Sequence, residues 1–71
     1  MKEFKVFYSY DITNGEELVD WKRDTFTVEF EKTADTDYIK ERINKIAQDA
    51  IKDPRHFVQY ANYYKIEEVS L

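Results

Sequence analysis

The sequence predicts an α+β fold: a three-stranded antiparallel sheet in strand order 2-1-3, with one amphipathic helix packed on one face and the chain order ββαβ. Three observations predict it. Two segments alternate apolar and polar residues with a period of two, a segment of helical period follows them, and an aromatic-rich segment closes the chain. A right-handed return from the second strand through the helix brings the third strand beside the first.

In the first strand Phe4, Val6, Tyr8 and Tyr10 alternate with Lys5, Phe7, Ser9 and Asp11, the pattern of a strand with one face buried and one mostly wet. Phe26, Val28 and Phe30 alternate with Thr25, Thr27, Glu29 and Glu31 in the second. Asn14-Gly15 between them tolerates the positive φ of a tight hairpin turn. A strict two-residue turn there pairs Val6 with Arg23 and Tyr8 with Trp21. Pairing Phe4 with Phe30, Val6 with Val28 and Tyr8 with Phe26 instead keeps the large apolar side chains together, and burial sets register most strongly. The expected hairpin therefore has a bulge or wide loop within residues 16–23 and Asn14-Gly15 at the tip of a protruding arm. Trp21 falls in the irregular segment, its indole over the rim of the core.

Residues 36–52 change to helical period, with Ile39, Ile43, Ile46, Ala47, Ala50 and Ile51 on one stripe and Lys40, Glu41, Asn44, Lys45, Gln48 and Asp49 opposite. Ile43 and Ile46 are expected against Val6 and Val28. Asp35 or Thr36 suits the N-cap, Asp37 the positive end of the helix dipole and Lys52 the negative end. Asp53-Pro54 stops this helix and reads as the start of a short extra helical turn over 53–61, supported by Phe57, Tyr60, Ala61 and Tyr64 at i, i+3, i+4 and i+7. The third strand then spans residues 63–70, with a bulge near Glu67-Glu68 if Ile66 and Val69 are both buried.

The chain has 71 residues, a net charge of −4, 37% charged residues and no cysteine, which suits a single domain over residues 1–71. A core of this size yields roughly 3–5 kcal/mol of net stability, so the six Tyr, five Phe and one Trp must carry much of the burial. No apolar run approaches the roughly 20 residues of a membrane span, and charges interrupt the first residues where a signal peptide would be apolar. A cytoplasmic location is expected.

Catalytic chemistry finds few parts. There is no cysteine, Ser9 and Ser70 stand without a motif, and His56 is the one histidine, beside Pro54 and Arg55. Phosphate-cradling loops need several glycines, and Gly15 is alone. The run from Asp11 to Glu16 is a poor match to a calcium loop, because Gly15 comes one position early and the distant bidentate Glu is missing. The expectation is a protein that is not an enzyme, with no catalytic, cofactor or metal residues.

Binding is better supplied. The sheet face away from the helix should carry Phe7 and Lys5, Thr25, Thr27 and Glu29 from one neighbour, and Tyr63 with Lys65 from the other. Residues 56–64 hold no Asp, Glu, Lys or Arg and are rich in interface-prone side chains. The candidate interface residues are Phe7, Trp21, Tyr60, Tyr63 and Tyr64. The strand around Phe4-Lys5-Val6, the Asn14-Gly15 turn, the strand from Asp24 to Glu29, the helix, and the closing run from Tyr64 to Val69 together resemble the small uncharacterised ββαβ proteins of bacteriophages and mobile elements. That resemblance implies inhibitors of host defence, among them anti-CRISPR proteins, which act by occupying a host protein's surface. The first reading is accordingly a non-enzymatic protein-interaction module, phage-type, with a protein partner or a homodimer. The second is a small nucleic-acid-binding domain using Phe7 and its sheet neighbours, which the sequence pI near 4.9 disfavours. A basic stripe across the sheet would favour the second, an acidic or apolar patch the first.

Overall fold

In the computed structural model, which describes residues 1–69, the even-numbered residues of the first strand organise the rest. Phe4, Val6, Tyr8, Tyr10 and Ile12 are all buried along one face of β1 (Lys2–Thr13). Ile39, Ile43 and Ala47 of α1 (Thr36–Ala50), each 0% exposed, press onto that row. β2 (Leu18–Phe30) and β3 (Phe57–Val69) flank β1, so the sheet runs β2-β1-β3 and both pairings are antiparallel.

The hairpin register differs from the expected one by two residues. Phe4 lies opposite Val28, Val6 opposite Phe26 and Tyr8 opposite Asp24. A two-residue shift preserves the facing of every side chain, so Phe26, Val28 and Phe30 still pack against the core. The turn decides between the two registers. Asn14 donates its N–H to the Glu17 carbonyl (3.1 Å), and its side-chain oxygen accepts from the amides of Glu16 (3.0 Å) and Glu17 (2.8 Å). Gly15 at φ 99° completes this loop. Ile12 pairs with Asp20 and Thr13 with Leu18, so a single bulge at Val19 replaces the wide irregular segment. Trp21 therefore belongs to the regular part of β2, opposite Asp11, and its indole is on the face away from the helix rather than over the core rim.

Asp35 caps α1 by accepting from the amides of Asp37 and Tyr38, both at 3.2 Å. The helix ends at Ala50, short of Lys52, with Ile51 as C-cap. Ile46 is half-buried at the margin of the contact. The helix backbone lies over β3 and β1 and not over β2. Two helix side chains bridge that gap: Tyr38 meets Phe30 edge-on at 5.8 Å, and the Arg42 guanidinium stands 5.1 Å from the Phe26 ring.

The short helical turn expected over 53–61 is absent. Asp53 instead nucleates a turn, its carboxylate accepting from the Arg55 amide (2.9 Å) and guanidinium (2.9 and 3.1 Å), while its carbonyl accepts from the His56 amide (3.0 Å). The Arg55 hydrogen bonds hold the Asp53 carboxyl well below the usual carboxylate range. β3 starts directly afterwards. Its inward residues are Val58, Ala61, Tyr63 and Ile66, so of the four residues expected on a helical stripe only Ala61 packs on the core while Phe57, Tyr60 and Tyr64 are exposed, and the strand is bulged twice. The register against β1 shifts between Phe7 and Tyr8, at Tyr64, and between Ser9 and Asp11, at Tyr60. The bulge expected near Glu67-Glu68 does not occur, since Val69 pairs with Glu3 and alternation turns it away from the helix. The proposed extension of this strand to Ser70 lies outside the described residues.

Replacing Ile43 with Ala should cost about 2–5 kcal/mol, the range for deleting a fully buried branched side chain. Urea denaturation of the variant should show a midpoint displaced by most of the domain's stability, and an unchanged midpoint would contradict the packing described above.

Candidate functional site

The helix covers only one face of the sheet, so the opposite face is open to solvent. Across its middle the alternation of β1 and β2 sets Lys5 and Phe7 beside Thr25, Thr27, Arg23 and Trp21. β3 supplies Lys65 opposite Phe7. The bulge at Tyr64 inserts one extra residue, which lets Tyr63 pack into the core while Tyr64 stands on the outer face against Phe7.

These residues form a continuous array of rings and cations. The Phe7 and Tyr64 rings lie 6.2 Å apart and tilted at 49°. The Lys5 and Lys65 ammonium groups lie 5.3 and 5.4 Å from the Phe7 centroid. Arg23 spans Ser9, its small partner on β1, and its guanidinium rests 5.2 Å from Trp21 and 5.6 Å from Tyr64. Each such contact contributes about 0.5–1 kcal/mol at an exposed site. Trp21 is nevertheless 54% and Tyr64 55% exposed. The array thus leaves two aromatic planes largely exposed beside three cations.

The charges around it are mixed. Lys65 donates to Glu67 at 2.7 Å, and this hydrogen bond raises the lysine's pKa. Glu3 and Glu29 form a row at one end of the face and Asp11 lies at the other. The cations Lys5, Arg23 and Lys65 therefore occupy the centre of a face with acidic ends, which is not a basic stripe. Beside Trp21, Asp20 accepts from the Trp21 amide at 2.8 Å and pairs with Lys22 at 3.2 Å, and these contacts lower its pKa in that order. On the helix side, burial raises the pKa of Tyr8, with the Asp24 charge adding to it.

Of the expected interface residues, Phe7, Trp21 and Tyr64 come together in the array. Tyr60 shares their face but stands nearer the hairpin tip, 81% exposed. Tyr63 does not belong with them, because it packs against the helix side and half-buries itself there. Arg23 is not singled out by alternation or residue type alone, and its place in the array becomes legible only once the register sets it opposite Ser9 on the open face. Among the described residues, no three His, Cys, Asp or Glu side chains converge in a way that could hold a metal ion.

Tyr60 has a φ of 57° at its bulge, a left-handed conformation that costs a residue with a Cβ about 1–2 kcal/mol. No protein-family model, curated protein or solved structure matches the chain.

Tyr60→Gly should raise folding stability by about 1 kcal/mol, because the side chain buries little and glycine relieves the strained φ at a smaller entropic cost. A urea midpoint at or below that of the wild type would show that the ring stabilises the fold by contacts that its exposure conceals.

Proposed function

We propose that the protein is a non-enzymatic interaction module, of phage-accessory or host-defence-inhibitor type, that binds a protein partner through the outer face of its sheet. The observation that carries this reading is the array of Trp21, Arg23, Tyr64 and Phe7, since Trp, Tyr and Arg are the side chains that dominate interface energetics. A face held rigid by β1 loses little side-chain freedom on docking, and the rings bring large contact area. The charge layout argues for a partner other than a second copy on this face. Two copies placed face to face about an axis through the centre of the array bring Lys5, Arg23 and Lys65 against one another. The complementary partner presents carboxylates opposite the centre of the array.

A nucleic-acid reading draws support from the same aromatic and cationic side chains, which could stack bases and contact phosphates. Glu3, Glu29, Glu67 and Asp11 on that face, and a net charge of −4, weigh against it.

Capture from a bacterial lysate by the wild-type protein should retain a partner that Trp21→Ala and Tyr64→Glu both release. The two variants should lose only about 1 kcal/mol of folding stability or less, as exposed substitutions do. Retention of the same partner by both variants excludes the outer face as the binding surface.

Fluorescence anisotropy with labelled single-stranded and duplex oligonucleotides at physiological salt should show no low-micromolar binding. Binding in that range, abolished by Phe7→Ala, would reverse the order of the two readings.

A further inference from the structure

The hairpin tip places a side-chain amide, that of Asn14, next to the backbone nitrogen of Gly15, and the two are the partners of a five-membered ring closure within the chain. Both residues are exposed. The Asn14 side-chain oxygen accepts from the amides of Glu16 (3.0 Å) and Glu17 (2.8 Å), so two donors already stand where negative charge develops when a nucleophile adds to the side-chain carbonyl carbon. The attacking atom is the Gly15 nitrogen. It is neither of those two donors, and among the described residues its N–H has no acceptor. Gly15 also brings no Cβ to crowd the attack, and the Phe57 ring lies 3.9 Å from where one would stand.

The other two asparagines are held differently. The Asn62 side-chain oxygen accepts from the Tyr63 amide at 2.8 Å, so the nitrogen that would have to attack there is itself the donor to the oxygen, and it lies within β3. Asn44 lies in the middle of α1, where the helical ladder engages the amide that follows it. Only at Asn14 are the carbonyl oxygen polarised by other donors and the following amide left free.

We infer that Asn14 is a site of spontaneous covalent modification, through which the hairpin tip changes in one direction as the protein ages. The Gly15 nitrogen, having given its proton to water, forms a bond to the Asn14 side-chain carbonyl carbon. The bond from that carbon to the side-chain NH2 group then breaks, and the group takes up a proton from water and leaves as ammonia. Water next adds to either carbonyl of the cyclic imide and opens it, giving aspartate or an isoaspartate whose main chain runs through the former side chain. No oxidation or reduction is involved. Each product adds one negative charge to the net −4, at the cleft that Asn14 shares with Glu16, Arg55 and His56. Aspartate keeps the acceptor for Glu16 and Glu17. Isoaspartate turns that acceptor into a main-chain carbonyl and lengthens the chain by one carbon, so the bonds that set the hairpin register cannot all be kept.

The test incubates the whole chain in mildly alkaline buffer made with water labelled in heavy oxygen, with a parallel sample in urea, and follows digests by chromatography and mass spectrometry. In the folded sample the segment holding Asn14 should yield two labelled products, isoaspartate and aspartate, faster as the pH rises, while Asn44 and Asn62 persist. Its rate should exceed that in urea or fall below it by less than about tenfold, since the turn holds donors at the reacting oxygen and does not engage the attacking nitrogen. Amide resonances of Gly15, Glu16 and Glu17 should shift in the isolated isoaspartate form, with those of Val6 and Ile43 unmoved, whereas Asn14→Asp should keep the folded pattern at the tip. Equal conversion at Asn44 or Asn62, aspartate formed with no isoaspartate, a native rate lower than in urea by more than about tenfold, or an isoaspartate form with an unaltered tip overturns the inference.

Discussion

Burial of one row of β1 under α1 is the constraint from which the rest of the molecule follows. A chain this short forms a single apolar seam, and here it runs through Val6, Ile39 and Ile43, each 0% exposed. Because the helix sits over β1 and β3, the seam is closed on the β3 side by backbone packing and on the β2 side only by the reach of Tyr38 and Arg42. The asymmetry leaves the distal half of β2 exposed on both faces. The strands of 12 and 13 residues give the molecule its elongated form, 43 Å along one axis and 15 Å along the others.

The same seam explains the irregularity of β3. Val58, Ala61, Tyr63 and Ile66 must all face the helix, and a regular strand cannot present residues at those spacings to one face. Each bulge absorbs one surplus residue, and the surplus residues are Tyr60 and Tyr64. Core formation and surface presentation are thereby coupled: the adjustments that bury Ala61 and Tyr63 also bring Tyr60 and Tyr64 to the outer face. The strain at Tyr60 is the part of this arrangement that burial alone does not account for.

Both sheet edges are also modified in ways that discourage indiscriminate pairing. On β2 the amides of Trp21 and Thr25 donate to the carboxylates of the preceding Asp20 and Asp24, each at 2.8 Å, so part of the edge is already occupied. On β3 the bulges break the ladder, and Asn62 accepts from the Tyr63 amide at 2.8 Å. Acidic caps and bulges are standard defences of an exposed edge. They leave the outer face, rather than the edges, as the larger uncovered surface of the sheet.

By itself the sequence determined β1, β2, α1 and the ββαβ order, because period-two alternation in β1 and β2 and the isoleucine stripe of α1 are local signals that burial enforces wherever the chain folds. It also determined which face of each hairpin strand is apolar, and Phe7, Trp21, Tyr60, Tyr63 and Tyr64 stood out as interface-prone types. Tertiary structure decided the rest. The hairpin register depended on hydrogen bonds that the Asn14 side chain accepts from the Glu16 and Glu17 amides and that only a closed turn can make. The stretch from Pro54 to Ala61 became turn and strand instead of helix because pairing with β1 satisfies its backbone along a whole edge, whereas a helical turn in isolation gains little. Whether Tyr63 or Tyr64 faced outward hung on a single bulged residue, and alternation cannot reveal a bulge whose position is set by what the opposing helix must cover.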